Sequence, residues 1–295
     1  MDVILRDRRA ILVFVGPALL AYTLILLGPI LWSIAYTFFT GNVITGFTYV
    51  GLHNFSTLIH DQAFWDALKF TLKYAVLVTV LQVALGLLLA LTFVFYLRRS
   101  SALVRTLVFF PVVLPTVAIA QMFVKVFAIA PQYGLVNSAL HAFGMNGSIQ
   151  DWLGTGSGAF MVLVIMDVWR SMGFYAVLLY AGLIDVPEDM IESARLDGAS
   201  GFRLVRHIVL PLLGPVLFSA LIFSINGTLK VFDTVLALTH GGPGQATTPL
   251  TVYFFNTAFS YGQYGYASTV ATALSILCLL VTVALFGFAR KDRTA

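Results

Sequence analysis

The sequence predicts an all-α membrane protein that crosses the bilayer six times. Of its 295 residues, 59% are hydrophobic and only 10% are charged, and the mean hydropathy is +0.93. Globular chains usually contain about 25% charged residues, so a soluble domain is excluded. Six apolar stretches are long enough to cross a hydrocarbon core of about 30 Å. They lie at 11–38, 70–96, 106–128, 159–184, 212–238 and 266–289, and we treat residues 1–295 as one transmembrane domain.

The basic residues predict the orientation, because Lys and Arg concentrate in cytoplasmic segments. Twelve of the 17 would lie on one side of the membrane: Arg6, Arg8, Arg9, Arg98, Arg99, Arg105, Arg195, Arg203, Arg206, Arg290, Lys291 and Arg293. Both termini and the polar stretch between spans four and five are therefore expected in the cytoplasm. The net charge of +4 follows from this topology and gives no reason to expect nucleic-acid binding.

Prolines predict bends in two of the spans. Pro17 and Pro29 lie in the first span, and Pro111 and Pro115 lie four residues apart in the third. Proline has no backbone N–H, so the carbonyl four residues before it loses its hydrogen bond within the helix. That carbonyl then needs a donor from a neighbouring helix.

Residues 185–211 form the longest polar interruption that contains both charge signs. Asp185 and Glu188 have the spacing of a capping box. Gly198 is suited to end a helix in the left-handed conformation, and Pro211 is suited to end the basic helix that follows. The pattern predicts two short helices joined by a tight corner, just outside the bilayer.

This stretch resembles the EAA loop of ABC importer permeases, the membrane subunits of binding-protein-dependent uptake systems. The family pattern is Glu-Ala-Ala, three residues, Gly, nine residues and Ile-x-Leu-Pro, and every spacing is kept. The matching residues are Glu192, Ser193, Ala194, Gly198, Ile208, Leu210 and Pro211. Ser193 stands where the pattern has its first Ala. The run Asp197-Gly198-Ala199 is similar to the carbohydrate (maltose-type) branch of the family.

A second stretch, at 238–250, also resembles sugar-type permeases, in which a Gly-Gly-Pro turn follows the fifth core helix. Here the turn would consist of Gly241, Gly242 and Pro243 in the outer loop. The glycine-rich run at 154–158 is not a phosphate loop, because it lacks the Gly-Lys-Ser/Thr ending.

The resemblance implies the type I permease fold of ABC importers and a mechanical role for residues 185–211. The loop would dock in a cleft of a cytoplasmic ATPase, with Glu192 meeting a basic residue there and Gly198 allowing the corner. Asp197, Ala199 and Arg203 would add to the docking surface.

The resemblance also implies the partners. They are a second homologous permease that completes a heterodimer, a dimer of ATPase subunits that binds ATP and Mg, and an extracytoplasmic solute-binding protein. The implied substrate is a sugar or oligosaccharide, and the implied location is the bacterial plasma (inner) membrane. This chain would contain no cofactor and would not be an enzyme.

Charged groups inside the spans are costly and are therefore candidates for function. Asp167 and Arg170 lie three residues apart in span four, and Lys230 and Asp233 lie three apart in span five. Each pair could neutralise itself on one helix face. Two interpretations stay open: the pairs fix packing against a partner subunit, or they line a polar cavity that opens to the outside.

Resemblance to maltose-type permeases places sugar-contacting positions in the same two spans. Measured from Glu192, these positions fall at Asp167, Ser171, Phe174, Ser224, Gly227, Thr228 and Val231. Ser224, Thr228 and Val231 have the spacing of one helix face. Trp169 and Phe174 could stack on the apolar face of a sugar.

The sequence shows no Walker motif and no nucleophile elbow. Its five His residues are scattered, and Cys278, the only cysteine, excludes an intrachain disulfide. Two alternatives stay open. A glycerol-3-phosphate importer shares both motifs, and Arg170 and Lys230 could bind its phosphate. A proton-coupled secondary transporter could use Asp167 and Asp233 as relays, although no inverted-repeat signal favours it.

Overall fold

The computed structural model describes residues 8–42, 44–97 and 101–291, without the side chains of 8–11 and 288–291. Four arginines used for the orientation, Arg6, Arg98, Arg99 and Arg293, lie outside the described residues. The chain divides into two compact units, which we describe in turn. The first comprises residues 1–64 and 253–276, and the second comprises 65–252 and 277–295.

Helices dominate the described chain. They are α1 (Arg8–Tyr22), α2 (Gly28–Tyr36), α3 (His53–His60), α4 (Gln62–Phe95), α5 (Ser101–Val113), α6 (Thr116–Val126), α7 (Leu135–Ala142), α8 (Gly156–Ile184), α9 (Glu188–Leu196), α10 (Gly201–Leu204), α11 (Leu210–Leu229), α12 (Asp233–Leu238), α13 (Leu250–Phe255) and α14 (Tyr264–Lys291). Wider π turns occupy Thr23–Leu27, Val205–Val209 and Asn256–Ser260, and a 3-10 turn occupies Asn146–Ser148. One antiparallel hairpin, β1 (Phe39–Asn42) and β2 (Gly46–Tyr49), pairs Phe39 with Tyr49.

The described helices agree with the predicted all-α class and with six spans. Five helical runs are long and apolar enough to cross a membrane: 12–36, 62–95, 156–184, 201–229 and 264–287. The pair α5 and α6, which are bent by 97° at a short break, makes a sixth span when the two helices are counted together. The bend follows Val113, next to Pro115, as the prolines of the third span predict.

In the first unit, Pro29 is accommodated without an end to the helix. The π turn before it lets the Gly28 amide bond the carbonyl of Thr23, five residues back. In a π turn each amide bonds the carbonyl five residues back instead of four. This shift occurs next to Pro29, which has no amide hydrogen to donate. The predicted irregularity at Pro29 is therefore a widened turn, whereas Pro17 lies inside α1.

The same unit contains a polar junction around Asp61, which precedes α4. Its carboxylate accepts the amide of Ala63 at 2.9 Å and the hydroxyls of both Tyr253 and Tyr266. Burial acts to raise the pKa of Asp61, but these hydrogen bonds outweigh it and the pKa is lowered. Burial and the bond to Asp61 raise the pKa of Tyr253 to about 12. An ionised carboxylate therefore holds this junction together at neutral pH.

In the second unit, two hydrophobic clusters lie along α4 and α8. The first joins them to α6 and α12 through residues such as Tyr74, Ile119 and Val235. The second joins them to the loop helices and α11 through Leu179, Ala194 and Leu213. The first cluster therefore lies toward the end of the bundle that contains α12, and the second lies toward the end that contains the 185–211 loop.

Two glycines let the central helices approach each other closely. A Cβ added at Gly173 of α8 would lie 2.1 Å from the Val108 carbonyl oxygen of α5. One added at Gly86 of α4 would lie 2.7 Å from the Cβ of Tyr175. Small residues permit such backbone contact between membrane helices, where dispersion forces replace the hydrophobic effect.

The fifth span differs from the prediction at both ends. The helical run begins at Gly201 rather than residue 212, and α11 ends at Leu229 rather than continuing to 238. Residues 230–232 are not helical, and α12 follows as a separate helix. The hydroxyl of Thr251 donates to the carbonyl of Val231, so a distant side chain satisfies backbone that the break leaves unbonded.

We expect Gly173→Ala to lower the free energy of unfolding by about 1–3 kcal/mol, because its methyl group would overlap the α5 backbone. Thermal unfolding in detergent, followed by tryptophan fluorescence, would show a lower midpoint. Gly214→Ala is the matched control, since nothing lies within 4 Å of a Cβ there. Equal midpoints for the two variants would contradict the close α5–α8 packing.

Candidate functional site

A polar cavity of about 270 Å³ lies where the third and fifth spans break. Nine of the eleven residues predicted for the substrate pathway line it: Asp167, Arg170, Ser171, Ser224, Gly227, Thr228, Lys230, Val231 and Asp233. The break at 230–232 contributes directly to the wall, and α4, α6, α8, α11 and α12 supply the rest.

Five further residues line the cavity that the sequence analysis did not single out: Gln82, Thr116, Tyr175, Phe232 and Thr234. Gln82 could have been found, because it is an amide in the middle of an apolar stretch, where polar groups are costly. Thr116 follows directly on the Pro115 bend. No local signal marks Tyr175 or Phe232 among the 37 Tyr and Phe residues of the chain (12 and 25).

The two aromatic residues predicted to stack on a sugar are not among the residues that line the cavity. The Trp169 ring lies 5.9 Å from that of Phe123 and packs against the first apolar cluster. Phe174 is 40% exposed, and its ring meets the edge of Tyr175 at 5.2 Å. Tyr175 and Phe232 are the aromatic residues that line the cavity.

Asp167 is the most constrained polar group of the cavity wall. It is 4% exposed, and its Oδ2 accepts the hydroxyl of Tyr74 from α4 at 2.9 Å. The other oxygen, Oδ1, accepts Nη2 of Arg170 at 2.9 Å and Nε at 3.3 Å. The predicted pairing within α8 is therefore present, and a neighbouring helix completes it. A buried carboxylate with both oxygens bonded avoids the large cost of an unpaired charge.

A chain of side-chain hydrogen bonds joins α4 to α11 beside this pair. Gln82 donates to Ser224, whose hydroxyl donates to Thr79 at 2.9 Å. The hydroxyls of Thr79 and Thr228 lie 3.2 Å apart. Ser224 and Thr228 share one face of α11, as their spacing predicts, but the prediction is wrong for Val231, which lies beyond the end of α11 at Leu229. In this structure their hydroxyls hold α11 against α4 at the edge of the cavity.

The prediction that Lys230 and Asp233 neutralise each other on one helix face is wrong. Because α11 ends at Leu229, the residues between them do not form a helical turn. Among the described residues, the ion pairs within 4.0 Å are Lys69–Asp66 and Arg170–Asp167. Lys230 and Asp233 are both exposed and both line the cavity. The wall therefore contains two cations and two carboxylates.

The loop between α8 and α11 has the predicted tight corner. Gly198 follows α9 with a φ of +85°, in the left-handed region. Its amide bonds the carbonyl of Arg195 at 3.0 Å, and the amide of Ala199 bonds that of Ala194 at 2.9 Å. These two bonds are the Schellman arrangement, which satisfies the last carbonyls of a helix and favours glycine.

Two capping predictions for the loop are wrong. Asp185 follows α8 as its C-cap, and α9 begins after Pro187 without a side-chain cap. Pro211 does not end a helix either, because it lies in the first turn of α11, after a π turn in which the Leu210 amide bonds the carbonyl of Val205.

The loop residues predicted to dock differ in exposure. Exposed are Glu192, Ser193, Asp197, Gly198, Arg203 and Pro211, whereas Ala199, Ile208 and Leu210 are half-buried and Ala194 is 8% exposed. Ala194 packs into the second cluster and anchors α9. Two large apolar side chains also stand out: Leu196 is 89% exposed and Phe202 is 76% exposed. A mixed acidic, basic and apolar surface therefore extends from the bundle.

The outer turn is sharp, as its glycines predict. Gly241 and Gly244 have φ of +85° and +54°. The Thr247 hydroxyl bonds the carbonyl of Gly242 at 2.6 Å, and the Thr248 hydroxyl bonds that of Gly241 at 3.1 Å. Pro243 lies between these glycines, and two threonines thus hold the turn. Within the described residues, no group of three or more His, Cys, Asp or Glu side chains is placed to hold a metal ion.

Comparison with known proteins identifies the family to which this chain belongs. Residues 82–292 match the model of the binding-protein-dependent transport system inner membrane components. The trehalose/maltose transport system permease protein MalF of Thermococcus litoralis is 37% identical over 80% of this chain and 78% of its own length. The lactose transport system permease protein LacF of Rhizobium radiobacter is 30% identical over 95% of this chain and 94% of its own.

A solved structure shows the same fold. One chain of a bacterial alginate ABC transporter, crystallised in complex with an alginate pentasaccharide-bound periplasmic protein, superimposes with a TM-score of 0.84. It covers 95% of this chain and 93% of its own, at 21% identity. The family match includes the cavity-lining residues of α8, α11 and α12 and the whole of the 185–211 loop. The chain is a multi-pass membrane protein that belongs to the binding-protein-dependent transport system inner membrane components, the permeases of ABC importers.

Proposed function

We propose that this chain forms half of the translocation pathway of an ATP-driven importer for a neutral sugar or oligosaccharide, in the bacterial inner membrane. The observation that carries the proposal is the cavity of α4, α8 and α11, which contains hydroxyl, amide and aromatic groups beside balanced charges. The relatives named above are called trehalose/maltose and lactose transport system permeases.

The cavity suits a neutral ligand because its charges cancel. Arg170 is already engaged by Asp167, and Lys230 is accompanied by Asp233 in the same wall. Tyr175 and Phe232 offer aromatic surface, and Ser171 offers a hydroxyl. Such a mixture of apolar surface and few placed polar groups is typical of small-molecule sites.

The 185–211 loop is proposed to couple this cavity to a cytoplasmic ATPase. The helical run from Gly201 to Leu229 is continuous, so a push on the basic end of the loop acts on the helix that contains Ser224 and Thr228. Glu192 is exposed one turn before the end of α9, where it can meet a basic residue of the ATPase. Movement of a rigid element around a fixed site is a common form of alternating access.

The rest of the transporter is proposed from the family. A second, homologous permease would complete the pathway, and a dimer of ATPase subunits would bind ATP and Mg and perform the hydrolysis. An extracytoplasmic solute-binding protein would deliver the sugar at the outer face. This chain would supply no cofactor.

A glycerol phosphate is the second candidate substrate, because Lys230 lines the cavity without an ion pair among the described side chains. The proton-coupled alternative is not favoured by membership of an ABC permease family.

We expect neutral oligosaccharides, presented by the solute-binding protein, to stimulate the ATPase activity of the reconstituted transporter several-fold. Glycerol phosphates should have no such effect, because a phosphate brings a charge that the balanced wall does not match. The measurement is ATP turnover in proteoliposomes with each loaded binding protein. Stimulation by phosphates alone would replace the sugar proposal with the second candidate.

Gly227→Leu is expected to reduce uptake roughly tenfold or more, because its side chain would fill cavity space. Nothing lies within 4 Å of a Cβ at Gly227, so the variant should still fold. Gly214→Leu is the matched control, since Gly214 lies in the same helix with equal free space but away from the cavity. Labelled-sugar uptake into proteoliposomes measures both. Unchanged uptake in Gly227→Leu would place the pathway elsewhere.

Glu192→Lys is expected to abolish sugar-stimulated ATP hydrolysis while the chain still folds, because Glu192 is exposed and the change reverses its charge toward the ATPase. Glu188→Lys makes the same change one turn earlier in α9 and should retain most coupling. Stimulated ATPase activity and retention of the ATPase during purification are the two readouts. Full transport by Glu192→Lys would rule out the docking role.

A further inference from the structure

A groove that the transport proposal does not use lies between α5 and α8, at their cytoplasmic ends. It has a volume of about 380 Å³. The residues that line it are Ala102, Arg105, Thr106, Phe109 and Val177. None of these lines the polar cavity, so the groove is a separate feature of the bundle.

Arg105 is held in place, yet part of its guanidinium stays available. Its Nε donates to the carbonyl of Ser101 at 3.2 Å, and its Cζ lies 4.0 Å from the centre of the Tyr180 ring. No described carboxylate lies within 4.0 Å of it. The two Nη groups make no hydrogen bond to a described residue. Arginine presents such groups as a planar fork that suits phosphate oxygens.

Arg105 directly precedes the predicted third span (106–128), so we expect the groove to lie at the boundary between lipid headgroups and acyl chains. Arg105 is four residues into α5, and Tyr180 is four residues from the end of α8, so each lies about 6 Å inside its helix end. Phe109 and Val177 lie about one turn deeper. The groove thus has a cation at its cytoplasmic end and apolar walls toward the hydrocarbon.

We propose that this groove binds an anionic phospholipid of the cytoplasmic leaflet. The phosphate would lie against the Nη groups of Arg105, and an acyl chain would lie along Phe109 and Val177. Basic pockets between transmembrane helices at this face are suited to anionic headgroups, and the cytoplasmic leaflet supplies them. Two further arginines, Arg98 and Arg99, precede the groove in sequence, and the predicted topology assigns them to the cytoplasmic side.

The test measures lipid retention by the assembled transporter. The complex that co-purifies with this chain is delipidated, incubated with equal amounts of phosphatidylglycerol and phosphatidylcholine, and weighed intact by mass spectrometry. The wild-type complex is expected to retain phosphatidylglycerol several-fold over phosphatidylcholine. Arg105→Gln should remove most of that preference. Lys125→Gln, which removes one charge from an exposed side chain at the outer end of α6, should keep it.

Val177→Phe provides a second variant, because it fills the groove while Arg105 remains. It should lower retention of phosphatidylglycerol even if Arg105→Gln proves unstable. Equal retention by wild type and by both groove variants would overturn the proposal. Displacement of the lipid by millimolar glycerol 1-phosphate would also overturn it, because the acyl chain would then contribute nothing. Retention by the isolated chain but not by the complex would assign the groove to a partner subunit instead.

Discussion

The buried carboxylate of Asp167 is the constraint on which the cavity depends. In a low-dielectric interior, loss of Arg170 would leave the carboxylate charge unpaired, at a cost of about 3–5 kcal/mol. Loss of Tyr74 would leave one carboxylate oxygen without a hydrogen bond, at a cost of about 1–3 kcal/mol. Both partners must therefore be held in register, one from α4 and one from α8. Gly86 makes this possible, because α4 can approach the backbone of α8 at Tyr175 only without a side chain there. These contacts make α4 and α8 the rigid wall of the cavity.

The opposite wall is built from interrupted helices. Non-helical backbone at membrane depth is tolerated where protein buries it or where it lines a cavity, and both conditions hold at 230–232. The break separates α12, which packs in the first hydrophobic cluster with α6, from α11, which continues into the cytoplasmic loop. A displacement of the loop can therefore move α11 relative to α12. Thr79, Gln82 and their hydroxyl partners on α11 are the contacts that such a movement would have to exchange.

Those features that depend on the lipid environment or on one residue type could be predicted from the sequence. Lipid fixes span length, so hydropathy gives the number and order of the spans. Gly198 could be identified because the left-handed conformation at the end of a helix favours glycine. The end of α11 at Leu229 could not be read, because neither Gly nor Pro stands at 230–232 and the stabilising hydroxyl belongs to Thr251. Pro211 was wrongly predicted to end a helix, because a proline in the first turn of a helix is tolerated where its missing amide would have no partner. The direction of Trp169 depends on packing against Phe123, which no local pattern encodes. The roles proposed for the cavity and loop residues remain predictions.

The lipid groove and the rigid wall involve the same helix, which links the two inferences physically. α8 contains Asp167 at the cavity and Tyr180 beside Arg105, and it packs on α5 through Gly173. A lipid bound between α5 and α8 would add contacts to the close interface between these two helices. Ligands stabilise the state they bind, so the lipid would favour the closed α5–α8 pair in both orientations of the cavity. Anionic lipids would then support transport by stabilising the packing of α5 on α8, without any contact with the substrate.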